Sequence, residues 1–410
     1  MSLIEAVKNN LWTIIFYTVI ILLLYINRKK FQYQGIIAIY KTKIGIGTMN
    51  NWAKRFGPLI RFLGYVGIVV AFLAMIFMVA VITTYTYKII SISNNFNELI
   101  STPPAVAPLI PGVSIPGVGF HIPLVTGFIC IFLIILVHEF AHGVLSRAHN
   151  IPVKNTGYLQ LLIIPGAFVE PDEKKLTKAP VKTQLSIFAA GAFTNFIFAI
   201  IALLLIYFFL APAVNGIADN YFNASGFTIS AINSSSPAER AGLKPNTIYN
   251  RINGQPVLSG REVINALSAL PPGSNITFSD ENNNSVLVTS QSSAQNTSRG
   301  YIGIYGVDTY YISAAGTPSW LKPIFFGATG WISELFIFFV ILNLAVGTVN
   351  LLPLGPLDGG RMFQLLSNKI FGEKNGKKLF LGMSIFILAM FVILILHLLL
   401  HIFVAAVKIV

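Results

Sequence analysis

The sequence predicts a polytopic α-helical membrane protein of about six transmembrane helices, with a soluble α+β domain inserted between two of them. Three observations carry this. Apolar runs near 20 residues recur along the chain, long enough to cross a hydrocarbon core of about 30 Å. Positive charge gathers in three segments beside those runs. One polar stretch of about 110 residues interrupts the series. Hydrophobic residues make up 54% of the 410 and charged ones only 10%, a balance that a water-soluble globule does not show. The formal net charge of +13 points at first to nucleic acid. However, 19 of the 28 Lys and Arg fall within 28–61, 144–182 and 355–378, the distribution that marks cytoplasmic loops. The charge therefore reports topology, and no nucleic-acid partner is expected. The single cysteine, Cys130, excludes an internal disulfide and any cysteine-based zinc finger.

The first span, about 11–26, is followed at once by Arg28-Lys29-Lys30 and lacks a small-residue cleavage site, so it reads as a retained helix. The basic segment 28–58 reads as an interfacial loop. A second span covers about 59–85. Segment 88–121 is rich in Pro and Gly yet nearly uncharged, which fits either backbone dipping into the membrane edge beside protein or an extracytosolic linker. The third span is about 122–145. In 157–170 two short apolar runs flank Pro165-Gly166, the pattern of a hairpin. Glu170, Asp172 and Glu173 then sit among lysines, as in a solvated charged turn. The fourth span, about 185–210, contains Gly191-Ala-Phe-Thr-Asn195. The small residues favour close helix packing, whereas an amide in hydrocarbon needs a partner.

From 213 to 323 the runs 228–232, 247–252, 275–279, 285–290 and 301–307 alternate like strands, and 261–270 reads as a short helix. Asn223, Asn233, Asn275, Asn283 and Asn296 are Asn-x-Ser/Thr sequons confined to this stretch, in keeping with an outside location. The fifth span, about 325–352, ends in Asn350-Leu-Leu-Pro353-Leu-Gly-Pro356-Leu-Asp358-Gly359-Gly360. The sixth covers about 379–407. Alternation from a cytoplasmic 28–58 places all three basic segments inside, and both termini and the inserted domain outside.

The chemistry concentrates in Val137-His138-Glu139-Phe140-Ala141-His142, at the end of an uncharged run. Histidines four apart lie on one helix face, so both can ligate one zinc ion, and Glu139 beside them can take a proton from a zinc-activated water. His138 lies some 16 residues into its span, or about 24 Å at about 1.5 Å per residue, nearer the cytoplasmic face. Catalytic zinc uses three protein ligands. Asp358 is the strongest third candidate, since it shares that depth and end of the membrane; a simple helix-terminating turn is the competing reading. His397 and His401 are also four apart, but without a neighbouring carboxylate they read as packed or interfacial residues. Glu334 reads as an interfacial residue.

These residues carry a resemblance. His138-Glu139-Phe-Ala-His142 with Asn350-Leu-Leu-Pro353 and Asp358-Gly359 is similar to the paired motifs of the site-2 protease family, the intramembrane zinc metalloproteases of peptidase family M50. The likeness extends to Gly191-x-x-x-Asn195 and to Gly166-Ala-Phe-Val169. It implies zinc, one ion per chain, on His138, His142 and Asp358, with Glu139 as general base. It also implies Asn195, Asn350, Gly166 and Phe168 as residues near the substrate. The substrates implied are single-span membrane proteins, with membrane lipid as the surroundings. Ser236-Pro-Ala-Glu-Arg-Ala-Gly-Leu-Lys-Pro245 and Ile252-Asn-Gly-Gln-Pro-Val257 resemble a protease-associated PDZ domain, which implies a peptide ligand or a size filter. It departs from that pattern at Asn246-Thr247, where Gly-Asp is usual. The expected organisation is 1–121, two helices and loops; 122–212, the first half of the protease core; 213–323, the PDZ-like domain; and 324–410, the second half. The competing readings are a non-proteolytic zinc protein or transporter, which would repeat its ligands along several spans, and an inactive scaffold, which would have no use for Glu139.

Overall fold

The computed structural model of the chain describes residues 11–26, 28–35, 37–113, 121–161, 164–233, 235–268, 270–292 and 299–407. The expected hairpin tip at 162–163, the 114–120 part of the Pro/Gly segment and the Asn296 sequon fall outside these. The chain divides into two compact units, Met1–Ile206 with Trp331–Val410, and Tyr207–Gly330.

The first unit is built on six helices: α1 Leu11–Ile26, α2 Ile46–Ser91, α3 Leu124–Ala148, α4 Val181–Leu205, α5 Leu321–Asn350 (from Trp331 onward) and α6 Asp358–Val407. Among the described residues five are long and apolar enough to cross a membrane, and α1, with 16 residues, is the shorter one. Their outward faces carry apolar side chains to the surface; Leu73, Ile76 and Phe77 of α2 are each more than 60% exposed, as lipid-facing residues are. The helix α2 begins well before the expected span and breaks at Phe56 (φ −120°, ψ 18°), two residues ahead of Pro58. Proline removes a helical N–H and crowds the preceding turn, which accounts for the break. Between helices, glycines permit close approach: a Cβ at Gly64 would collide with Leu145, and one at Gly67 would press tightly on Phe193. Ala71 and Met75 of α2, Ala189 and Ala192 of α4, and Leu351 and Met362 form one buried cluster, so the core lies where α2 and α4 meet the start of α6.

Two departures from expectation matter for the site. The segment 28–58 is not simply a loop, because it supplies strands β1 Gln32–Gln34 and β2 Ile37–Thr42. These extend the hairpin β3 Val153–Leu161 and β4 Ile164–Pro171 into an antiparallel sheet ordered β1-β2-β3-β4. Pairing across more than 100 residues leaves no local trace in a basic, mixed sequence. Gly157 faces Phe168 across the β3–β4 register, and a Cβ there would strike the Tyr40 carbonyl and the Phe168 ring. Secondly, 355–378 is largely helical. Residues from Asp358 to Phe371 form the first section of α6, which breaks at Gly372 (φ 77°, ψ 160°) before the last span. Here Leu, Gln, Lys, Arg and Met favour helix, and the left-handed backbone at 372 is one that glycine adopts without cost.

The second unit contains strands β5 Phe222–Ile232, β6 Tyr249–Ile252, β7 Gln255–Pro256, β8 Asn275–Asp280, β9 Ser285–Thr289, β10 Gln291–Ser292, β11 Gly300–Tyr301 and β12 Ile304–Ser313. The main sheet runs β12-β5-β6-β8-β9, with β7 paired to β6. Helices Pro237–Arg240 and Gly260–Ser268 accompany it, and Phe227, Ile229, Val263, Phe278 and Val288 are wholly buried at its centre. Asn253-Gly254 turns β6 into β7 with both φ positive, as tight hairpins require. Asn246 also has positive φ (58°), a conformation asparagine tolerates, so the turn forms without the usual Gly-Asp.

Candidate active site

Helix α3 presents His138 and His142 one turn apart, and their Nε2 atoms lie 3.2 Å from each other. Asp358 Oδ2 is 3.1 Å from each of them. The side chains are largely buried, with 9%, 12% and 18% of their surface exposed for His138, His142 and Asp358. Three donors so placed, two imidazole nitrogens and a carboxylate oxygen, make the set that suits zinc. They are the one such group of three among the described residues.

Backbone tightness brings Asp358 into place. After α5 ends at Asn350 the chain turns sharply, with Leu351, Leu352 and Pro353 buried. Gly359 and Gly360 at the start of α6 lie directly on the carbonyls of Leu351 and Leu354, where any Cβ would collide. The glycine pair thus allows contact rather than supplying looseness, and its first turn points the carboxylate inward.

A second helix closes the other side. His142 Nδ1 is 2.7 Å from the Ile187 carbonyl of α4, which can only accept, so this ring carries its proton on Nδ1 and leaves Nε2 free. A Cβ built on Gly191 would fall 2.5 Å from His142 Nε2 and closer still to His138 Nε2. Helix packing alone does not explain this glycine. It holds open the space between the donors, and a metal ion fits there. Asn195, one turn further on, is wholly buried with its amide 3.2 Å from His138 Nδ1. Asn195, expected near the substrate, thus has its amide beside the His138 ring.

Glu139, the next residue after His138 on α3, reaches toward strand β4. Its Oε2 accepts a hydrogen bond of 2.9 Å from the Val169 N–H of β4. A cavity of about 390 Å³ opens there, lined by Glu139, Phe132, Leu136 and Phe140 of α3 and by Gly166, Phe168 and Val169 of β4. Gly166 and Phe168 therefore line the same cavity as Glu139. Asn350 ends α5, half-buried.

The remaining acidic and histidine residues separate cleanly. Glu170 pairs with Lys41 of β2 at 3.2 Å, and Asp172 with Lys154 at 3.5 Å. The Asn155 amide, then Lys41, hold the Glu170 carboxyl below the usual glutamate range. The charged turn thus clamps the sheet. His397 and His401 are buried with Nε2 atoms 3.3 Å apart, His397 Nε2 lying 3.0 Å from the Leu99 carbonyl, where the short helix Phe96–Ser101 ends. Glu334 accepts a 2.6 Å bond from the Thr126 hydroxyl.

A bundle of apolar helices with a buried His-His-Asp group and a glutamate beside it is a membrane-embedded candidate metallohydrolase. Residues 126–391 match the model of peptidase family M50, and the chain belongs to that family. It is 26% identical over 345 residues to an uncharacterized protein of Methanocaldococcus jannaschii, which covers 84% of this chain and 81% of that one. It is also 26% identical over 278 residues to the zinc metalloprotease RasP of Geobacillus kaustophilus, and 27% identical over 280 residues to that of Shouchella clausii. Each of these alignments takes in 55% of this chain, and the chain spans 63% and 64% of the two RasP proteins, just under two thirds.

Sequence reasoning missed the parts that α4 plays through Ile187 and Gly191. A backbone carbonyl has no signature, and glycine in a membrane helix already has an ordinary explanation. The one available signal was periodicity: 187, 191 and 195 share a helix face.

Proposed function

We propose that the chain is an intramembrane zinc metalloprotease of the site-2 type, cutting peptide bonds within or near the spans of single-span membrane proteins. The observation that carries this reading is the convergence of His138, His142 and Asp358 on one buried point kept clear by Gly191, with Glu139 on the adjoining cavity wall. His138, His142 and Asp358 would hold one zinc ion. Bound there, the ion would supply Lewis acidity toward a peptide carbonyl and lower the pKa of water. Glu139 takes the proton of the attacking water on its carboxylate and passes it to the leaving amine. Until then the Val169 N–H holds the carboxylate at the cavity.

A substrate helix hides its carbonyls in its own hydrogen bonds, and hydrocarbon offers none in exchange. Strand β4 ends the sheet order, so an unwound segment can pair along it while Gly166 and Phe168 receive its side chains. Asn350 is assigned to the substrate backbone. Residues 122–212 and 324–410 would then form the protease core. The basic segments lie on the cytoplasmic side and the 213–323 domain lies outside. Strands β5–β9 with helix Gly260–Ser268 are read as the PDZ-like domain, there to receive a peptide or to exclude bulky substrates.

The test is cleavage of a single-span substrate by the purified full-length protein in bilayers. Wild type should cleave, a zinc chelator should stop it, and Glu139→Gln should bind zinc yet be inactive. Cleavage that survives Glu139→Gln would overturn the assignment.

A further inference from the structure

Both imidazoles can bind a metal through Nε2 only if each ring carries its proton on Nδ1, and each Nδ1–H, buried among apolar helices, needs an acceptor. For His142 the acceptor is visible in the Ile187 carbonyl at 2.7 Å. For His138 the group at hand is the Asn195 side chain, 3.2 Å from Nδ1. In the orientation present, Nδ2 faces the ring and Oδ1 is buried without a partner. An amide reads alike with its oxygen and nitrogen exchanged, and the hydrogen-bond network decides between them. Turning it over gives the Nδ1–H an oxygen to bind, the one arrangement in which Asn195 can support a ring that binds metal through Nε2.

We propose that one stripe of α4 positions the two histidines: the Ile187 carbonyl orients His142, Gly191 keeps the space between their Nε2 atoms, and Asn195 Oδ1 accepts the Nδ1–H of His138. The spacing of four makes this a single device, since the three positions stack along one face opposite α3. Asn195 is a positioning residue, acting on the metal only through His138. This rests on the reading of His138 and His142 as zinc ligands.

Zinc affinity separates the two claims. It is measured by chelator competition on full-length protein carrying Glu139→Gln, so that no cleavage is involved. With Asn195→Leu, similar in size but without an acceptor, affinity should fall about 10–100-fold, the usual loss when a ligand histidine loses its acceptor. Asn195→Asp keeps the acceptor and should bind at least as tightly as the parent. Equal affinity in Asn195→Leu would overturn the proposal. So would equal loss in both variants, because the amide would then act as a donor or as packing. Zinc-loaded protein with the parental Asn195 and ¹⁵N-labelled histidine should show two protected, hydrogen-bonded Nδ1–H signals from the site. A single one would also overturn it, even if no variant folds. If the parent binds no zinc, both this proposal and the metal reading fail.

Discussion

The molecule contains the same histidine pair twice. His138 and His142 stand four apart on α3, His397 and His401 four apart on α6, and both pairs are buried with Nε2 atoms 3.2 and 3.3 Å apart. What faces them differs. The first pair meets a carboxylate from α6, a glycine that leaves a gap, the Ile187 carbonyl behind the His142 ring and the Asn195 side chain behind the His138 ring. The second faces the end of a short helix, with His397 Nε2 3.0 Å from Leu99 O. Carbonyls at a helix end lack partners within the helix, and imidazole N–H groups satisfy them. On the proposed reading the first pair would accept a cation, whereas the second meets a carbonyl to which an imidazole N–H donates. Spacing brings imidazoles together, but the opposing elements decide what the pair can do.

The largest contrast concerns the proposed catalytic group. Glu139→Gln should abolish cleavage and leave zinc content at one ion per chain, whereas His142→Ala should lose the ion as well; metal analysis beside a cleavage assay checks both. Next in size is a substitution that touches no ligand. Gly191→Ala should remove stoichiometric zinc, since the new methyl would lie within about 2.5 Å of both Nε2 atoms. Retention of full zinc affinity there would break the claim that α4 shapes the site.

For the second pair, His397→Leu with His401→Leu should leave zinc stoichiometry and cleavage in place. The unsatisfied carbonyls of the Phe96–Ser101 helix should instead lower stability by about 1–3 kcal/mol, read as thermal unfolding. Loss of a second metal ion in that variant would erase the distinction between the two pairs.

The smallest effect lies in the sheet clamp. Lys41→Ala should cost no more than about 1 kcal/mol, because that pair is partly exposed. Its pH dependence has a definite sign. The Glu170 carboxyl titrates lower folded than unfolded, so the clamp is present above the ordinary glutamate range and is lost as pH falls through the lowered value. Hydrogen exchange along β2 and β3 should quicken over that range.

Much of this was legible along the chain, because apolar length, basic segments and the His138-Glu139-x-x-His142 spacing are local quantities that a helix converts directly into geometry. Asp358 could be nominated by its depth and its end of the membrane. The alternating strands of the second unit were legible for the same reason, with period two read off residue by residue. The joining of the β1–β2 pair to the hairpin was not, since β2 meets β3 over 100 residues away and nothing nearby records it. Asn195 is visibly an amide in need of a partner, but that partner, the His138 ring, comes from α3, a different helix.

The existence of the helices and the residue types able to hold zinc follow from short-range preference and periodicity alone. The convergence of 138, 142 and 358, the gap at Gly191 and the approach of Ile187 and Asn195 to the two rings arise where α3, α4 and α6 pack. That packing depends on which side chains are absent as much as on which are present, and no single segment encodes it.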